Sequence, residues 1–281
     1  MNYKLGRIKK RFELLKSSKE KGLITFVTAG DPDYNTSLSI IKSLPDAGAD
    51  LIEIGMPFTD PMADGVGIQA SYLRSLNSGQ TLSKTLDIVN DFRKKDDTTP
   101  VILMGYFNPI YKYGINNFIR ESKRVGVDGL IVVDLPPEAD EELCKPARRN
   151  GLDFIRLATP TTDKKRLSLL LKNSSGFLYY ISVVGITGTK TPELHDIELA
   201  TNNIREKTNL PIAVGFGIRS PDQAVNVAKY SDAVVVGSAI VDKIGEMSSL
   251  LGDHKKKSIE QSLSFVQDLS KAIKKKDNYK L

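Results

Sequence analysis

Residues 52–65, with the sequence IEIGMPFTDPMADG, place three acids within one short segment. Glu53 stands inside an apolar run, whereas Asp60 and Asp64 follow in a proline-containing loop. If the run is a β-strand, alternation directs Glu53 to one face and its isoleucine neighbours to the other. A carboxyl group turned into the interior is desolvated, and its pKa rises towards the range in which it transfers protons at neutral pH. The segment therefore predicts a general acid or base at Glu53, although a structural glutamate that pairs with a lysine or caps a loop fits the same pattern.

The two loop aspartates also have a simpler interpretation. Asp60 stands in TDP and Asp64 in ADG, and aspartates in such turn sequences often bond their own backbone. From the residues alone, each is either a turn former or a second acid beside Glu53.

A second set of residues could bind an anion. The stretches VGFGIRSPDQ and VVVGSAI each end an apolar run with glycine and continue into a helical pattern. Backbone N–H groups at Gly217, Gly237 and Ser238 could converge there on a phosphate, near the amino end of a helix. Gly188 could add a further N–H group. Glycine also serves the geometry of tight turns, so both interpretations stay open.

These residues need elements that bring them together, and short β-branched runs alternate with amphipathic stretches along the chain. The candidate strands cover residues 23–28, 51–55, 100–104, 129–133, 153–157, 176–181, 211–214 and 232–236. The candidate helices between them include 35–47, 114–124, 163–172, 194–207 and 220–229. Eight strands alternating with helices in 281 residues favour a closed (β/α)8 TIM barrel over an open doubly wound sheet. We predict a single α/β barrel domain over residues 1–281, with an extra N-terminal helix and a basic C-terminal tail that frays from about residue 271.

The spacing of the strands locates the functional end of this barrel. The longest intervals follow the second and sixth candidate strands, which therefore carry extended loops. Loops at the carboxyl ends of the strands form the active sites of this fold. The acidic segment follows the second strand, the stretch VVGITGTKTPELH follows the sixth, and the glycine-ended strands are the seventh and eighth. All candidate residues are thus expected at one mouth.

Composition excludes several other functions. Hydrophobic residues make up 40% and charged residues 26% of the chain, which is typical of a soluble globular protein. No apolar run approaches the roughly 20 residues that cross a bilayer, and the amino terminus lacks a secretory signal, so we expect no membrane association and a cytoplasmic location. The net charge of +6 comes without a basic patch interleaved with aromatic residues, so we expect no nucleic-acid partner.

The cysteine and histidines suggest no further chemistry. Cys144 is the only cysteine, and its helical context predicts inert packing. His195 and His254 stand without a second histidine or a cluster of carboxylates nearby, so we assign no metal.

The motifs taken together resemble the tryptophan synthase alpha chain family, from about residue 22 to the final helices. They are FVTAGDP (26–32), EIGMPFTDPMADG (53–65), MGYFNP (104–109), VVDLPPEA (132–139), GITG (185–188), GFGI (215–218) and GSAIV (237–241), in the family's order and spacing. The resemblance implies a (β/α)8 barrel that cleaves indole-3-glycerol phosphate to indole and glyceraldehyde 3-phosphate, a retro-aldol lyase reaction in tryptophan biosynthesis. It implies no metal and no organic cofactor for this half-reaction.

The resemblance also implies roles for the acids. By motif, Glu53 matches the family's catalytic glutamate and Asp64 its catalytic aspartate. Cleavage needs a proton delivered to indole C3, a base for the glycerol hydroxyl, and a group that stabilises positive charge at the ring nitrogen. Glu53 suits the proton transfers, and Asp64, staying ionised in a more polar loop, suits the ring N–H. Asp60 is then a loop and interface residue.

The remaining site residues also follow from the family's motifs. The indole pocket and its support residues would be Phe26, Ile68, Tyr106 and Tyr179. Thr187 matches a threonine of the mobile loop that contacts the catalytic groups. The phosphate would be bound by Gly188, Gly217, Gly237 and Ser238.

The family implies a partner, the tryptophan synthase beta chain, in an alpha2-beta2 heterotetramer. Indole would pass through a tunnel to pyridoxal phosphate on the beta chain, where it condenses with serine. Met56, Phe58 and Met62 in the acidic loop are compatible with that interface, and equally with packing beneath the loop.

The chain departs from the family in Val66 and Gly67, where a proline commonly follows Gly65.

Two other kinds of function stay in view. One is another phosphate-binding barrel enzyme, such as a Schiff-base aldolase or a metal-dependent epimerase, against which the strands lack a lysine and the chain lacks a metal-ligand set. The other is a non-catalytic subunit that senses indole-3-glycerol phosphate, against which both acids are intact.

Overall fold

A computed structural model describes residues 6–182, 194–215, 217–246 and 252–275. The strands are β1 Gly22–Thr28, β2 Leu51–Gly55, β3 Val101–Gly105, β4 Gly129–Val132, β5 Asp153–Phe154, β6 Arg156–Ala158, β7 Leu178–Ile181, β8 Ile212–Gly215 and β9 Ala233–Val236. The helices are α1 Arg7–Ser18, α2 Tyr34–Ser43, α3 Val66–Asn77, α4 Leu82–Arg93, α5 Phe107–Tyr113, α6 Ile115–Val125, α7 Cys144–Arg149, α8 Lys164–Lys172, α9 Leu194–Arg205, α10 Pro221–Ala228, α11 Ser238–Glu246 and α12 Gly252–Lys274.

The strands form one parallel sheet that curls into a nearly closed barrel. Their order is β5-β4-β3-β2-β1-β9-β8-β7-β6, so the two ends of the sheet are consecutive in the chain. Only Ile155 separates β5 from β6, and its backbone N–H still donates to Leu130 O on β4 at 2.9 Å. The predicted strand 153–157 is therefore one barrel strand in two segments, since β5 pairs with β4 and β6 pairs with β7. The predicted (β/α)8 barrel is confirmed.

Two apolar layers hold the barrel together. Inward-facing side chains such as Ile24, Leu51, Ile102 and Val235 pack in its interior. Ile52 and Ile54 belong to the larger layer between the sheet and the surrounding helices. The alternation predicted for β2 is confirmed, because the two isoleucines lie outside and Glu53 inside.

The predicted N-terminal helix closes the amino ends of the strands. Ile8, Phe12 and Leu15 on one face of α1 belong to the interior layer, and the Phe12 ring lies 5.7 Å from that of Phe177. A Cβ on Gly22, the first residue of β1, would lie 2.9 Å from Leu15. The α1 helix therefore covers the barrel interior at that end.

The C-terminal helix extends beyond the residue at which the sequence predicted fraying. Fraying was predicted from about residue 271, but α12 continues to Lys274. Ile273 is fully buried, and Lys274 Nζ lies 3.0 Å from Asp50 Oδ2. Asp50 Oδ2 also accepts from Leu23 N at 2.9 Å, so the end of α12 is joined to the start of the barrel. The pattern missed this because a Lys-rich helix end is indistinguishable from a solvated tail without its partner carboxylate.

Within the described ranges, no helix is both long and apolar enough to cross a membrane. Cys144 is buried in α7, as predicted, and burial raises the pKa of its thiol to about 11.

Candidate active site

Glu53 lies inside the barrel on β2, between Phe26 of β1 and Ile102 of β3. Its side chain has no exposed surface, and in the described part of the chain neither carboxyl oxygen has a hydrogen-bond partner. No lysine pairs with it there, so among the described residues nothing supports the structural interpretation that the sequence left open. Burial without compensating donors raises the pKa of Glu53 to about 8. The group is therefore protonated at neutral pH and can act as an acid.

Asp64 is held over the mouth by hydrogen bonds to its loop. Tyr106 at the end of β3 donates from its hydroxyl to Asp64 Oδ2 at 2.7 Å, and the same hydroxyl accepts from Ala63 N at 3.0 Å. Gln69 Nε2 donates to the Asp64 carbonyl at 2.7 Å. A more polar, ionised position was expected, but Asp64 is half-buried and burial raises its pKa, while the bond from Tyr106 opposes the rise.

Both acids line one cavity of about 110 Å³ at the carboxyl ends of the strands. Of the residues predicted from sequence, its lining includes Phe26, Glu53, Asp64, Ile68, Tyr179, Gly217, Gly237 and Ser238. Tyr106 supports Asp64 from behind the wall. Thr187 and Gly188 lie outside the described residues. The cavity thus joins the acid residues and the phosphate-loop glycines in one space.

The apolar wall of the cavity contains residues that the sequence analysis missed. They are Met104, Val133, Leu157, Ile181, Ile218 and Val235. Most stand at or just beyond the carboxyl ends of strands, so projecting the inward positions of every strand would have identified part of this wall. Together with the Phe26 ring, they provide the apolar surface that a flat aromatic ligand needs.

Gly217 and Gly237 both line the cavity, and each position favours glycine for a different reason. Gly217 has φ +78°, a conformation that other residues adopt only with strain, and a Cβ there would meet nothing within 4 Å. Gly237 precedes α11 and its carbonyl accepts from Ile240 N at 2.9 Å. A Cβ on Gly237 would lie 3.2 Å from Phe26 Cβ. The amide groups at the start of α11 have no acceptor within the helix and suit an anion.

The other residues of the acidic loop lie away from this cavity. Asp60 is exposed and accepts from the Thr59 hydroxyl at 2.5 Å. Met56 is buried beneath the loop, Phe58 packs on the Tyr106 ring at 5.6 Å, and Met62 is 75% exposed. Of the three apolar residues suggested for an interface, Met62 is the one that remains available.

A larger cavity of about 670 Å³ lies at the amino ends of the strands, where lysines of α1 and the following turn line it with Arg205 and Asp232. We assign the active site to the smaller cavity because the two strongly desolvated acids lie there. Over the described ranges, no group of three or more histidine, cysteine, aspartate or glutamate side chains lies together as a metal site would require.

Comparison with known proteins agrees with this geometry. The family model described as tryptophan synthase alpha chain matches residues 12–274. The structure is similar to tryptophan synthase subunit alpha from Legionella pneumophila str. Paris, with a TM-score of 0.87 and 36% identity over 96% of this chain and 98% of that one. It is also similar to tryptophan synthase from M. tuberculosis in its aminoacrylate-bound form, with a TM-score of 0.83 and 27% identity over 96% of this chain and 100% of that one.

Proposed function

The chain belongs to the tryptophan synthase alpha chain family, and we propose that it performs that family's carbon–carbon lyase reaction through Glu53 and Asp64. The reaction is the cleavage of indole-3-glycerol phosphate to indole and glyceraldehyde 3-phosphate. The observation that carries the assignment of residues is the fully buried Glu53, which has no hydrogen-bond partner among the described residues and shares a cavity with Asp64.

In the first step, the protonated Glu53 delivers its proton to indole C3. With a pKa of about 8, this carboxyl group holds the proton at neutral pH and can release it to a carbon base. The ring nitrogen becomes positively charged, and the Asp64 carboxylate, oriented by Tyr106, stabilises that charge.

In the second step, the Glu53 carboxylate accepts the proton of the glycerol hydroxyl next to the ring. The O–H electrons form the aldehyde C=O bond, the bond to C3 breaks, and its electron pair returns to the ring and neutralises the nitrogen. Glu53 is then protonated again, so one residue acts as acid and base in turn.

We infer that the phosphate binds at Gly217, Gly237 and Ser238, with the indole against Phe26, Ile68 and Tyr179. Thr187 and Gly188 are proposed to complete the site. Support comes from the shared cavity lining of the described residues and from the amide groups at the start of α11.

We further propose that the partner is a tryptophan synthase beta chain in an alpha2-beta2 assembly, which carries the pyridoxal phosphate, and that the alpha reaction uses no cofactor of its own. The exposed Met62 and Tyr111 lie in the acidic loop and in α5, both of which follow strands at the mouth. Exposed apolar side chains at that end suit a protein partner. A cytoplasmic location and a single domain over residues 1–281 complete the proposal.

The test is indole release from indole-3-glycerol phosphate by the purified chain, with and without beta chain. Glu53→Gln should lose about 10²- to 10⁴-fold in turnover, as expected for loss of a general acid–base, while retaining affinity for a non-cleavable analogue. Asp60→Asn is the matched control and should stay near wild type in the isolated chain. A fully active Glu53→Gln variant would exclude this mechanism. A wild-type chain that binds the analogue but never releases indole would instead support the non-catalytic subunit.

A further inference from the structure

Gly67 in the first turn of α3 makes an unusually close contact with α11. A Cβ on Gly67 would lie 2.5 Å from Asp242 Oδ1, a separation that real side chains do not tolerate. The space beside residue 67 is therefore occupied by the end of the Asp242 side chain, which a larger residue at that position would have to displace. That carboxylate also stands at the amino end of α3, where the helix dipole favours negative charge.

Asp242 makes a second contact with the phosphate-binding end of the cavity. Its Oδ2 lies 3.0 Å from Arg219 Nη1, and Arg219 stands two residues after Gly217. The backbone N–H of Arg219 donates to Gln223 Oε1 at 2.7 Å, which fixes the same loop to α10. Asp242 itself lies one turn beyond Ser238 in α11. One carboxylate thus touches α3, α11 and the loop after β8.

A reciprocal contact keeps the two helices close. A Cβ on Gly245 of α11 would lie 3.0 Å from the Arg74 guanidinium of α3. Arg74 is fixed by two hydrogen bonds to the buried Asp31 carboxylate, at 2.8 and 2.7 Å. Each helix therefore presents a glycine to a charged side chain of the other, and the two helices pack closely at both contacts.

We propose that Asp242 is a positioning residue that couples the phosphate loop to the helix following Asp64, a role that rests on the proposed function. The carboxylate is held against Gly67 and in turn holds Arg219, which orders the loop containing Gly217. The Arg219 and Asp242 side chains are 57% and 36% exposed, so their ion pair contributes little to global stability. Its effect falls on the geometry of phosphate binding.

The test compares binding of two fragments, glycerol 3-phosphate and indole, as inhibitors of the cleavage reaction. Asp242→Ala and Arg219→Ala should raise the KM for indole-3-glycerol phosphate and the inhibition constant of glycerol 3-phosphate about three- to tenfold. The inhibition constant of indole should not change, because no phosphate is involved. Arg219→Lys should recover part of the loss. Asp268→Ala and Lys229→Ala remove exposed charges elsewhere and serve as controls.

The Gly67→Ala variant tests the contact between α3 and Asp242 directly. Its methyl group should displace the Asp242 carboxylate and produce the same phosphate-specific defect. In an Asp242→Ala background the obstruction is gone, so Gly67→Ala should add nothing further. Additive effects of the two substitutions, or equal losses for indole and glycerol 3-phosphate, would overturn the proposal. A wild-type chain without lyase activity would refute the proposed function instead, and that result is read independently of the variants.

Discussion

Replacing Glu53 with glutamine should stabilise the folded protein at neutral pH while it removes most of the turnover. Burial raises the pKa of Glu53 from 4.5 to about 8, so between these values the folded chain holds a proton that the unfolded chain has released. Stability from a raised pKa is complete below pH 4.5 and is lost as the pH rises towards 8. Taking 1.36 kcal/mol per pH unit, the wild type loses about 3 kcal/mol between pH 4.5 and 7, and about 4 kcal/mol by pH 8. Glutamine does not titrate and loses none of this.

The measurement is urea unfolding of wild type and Glu53→Gln at several pH values between 4.5 and 8.5. Circular dichroism and tyrosine fluorescence should give coincident transitions, so that one free energy of unfolding describes each protein. The difference between the two proteins should grow with pH, and its slope should fall to about half its maximum near pH 8. Any cost of the unpaired amide is independent of pH and cancels from the slope. Asp60→Asn, which removes an exposed carboxyl group of the same loop, should run parallel to the wild type. Parallel curves for Glu53→Gln would show that Glu53 ionises normally in the folded protein, and would refute the acid role derived from its burial.

Three further predictions concern the neighbours of Glu53 and the core. Asp64→Asn should raise the activation free energy by about 3 kcal/mol and so lower turnover roughly a hundredfold, as for loss of one preorganised electrostatic partner. Tyr106→Phe should move the acidic limb of the pH profile of kcat/KM to higher pH, because its hydrogen bond lowers the pKa of Asp64; an unmoved limb would mean that this bond does not orient the catalytic carboxylate. Gly217→Ala should weaken glycerol 3-phosphate binding about fivefold through backbone strain at φ +78°, and leave indole binding unchanged. Gly237→Val should weaken the binding of both ligands in inhibition assays, because its side chain would contact Phe26. The reverse pattern would contradict the assignment of the two glycines. Asp140→Ala should lower the free energy of unfolding, measured in urea, by about 3–5 kcal/mol, since it leaves the buried Arg156 guanidinium without its carboxylate. Glu138→Ala at the more exposed Arg166 pair is the control and should leave the free energy of unfolding nearly unchanged.

The sequence alone determined the features that depend on local periodicity. Alternation along β2 predicted which side chains point into the barrel, and the structure agrees for Glu53, Ile52 and Ile54. A serine before a proline predicted the start of α10, where Ser220 accepts from Gln223 N at 3.3 Å. These features follow from backbone geometry over a few residues, so they can be read without knowing the rest of the fold.

The contacts between residues far apart in the chain depend on how the barrel closes and its helices pack. Tyr106 reaches Asp64 across 42 positions, Lys274 reaches Asp50 across 224, and Asp242 fills the space that Gly67 leaves open. No local sequence pattern predicts any of these pairs, because each distance is set by how the strands curl into a barrel and how the helices pack around it. The interruption of the strand at Ile155 has the same origin, since its two halves pair with different neighbouring strands where the sheet closes. The raised pKa of Asp64 also depended on closure, because the loop could be judged polar or buried only once the barrel mouth beneath it was in place.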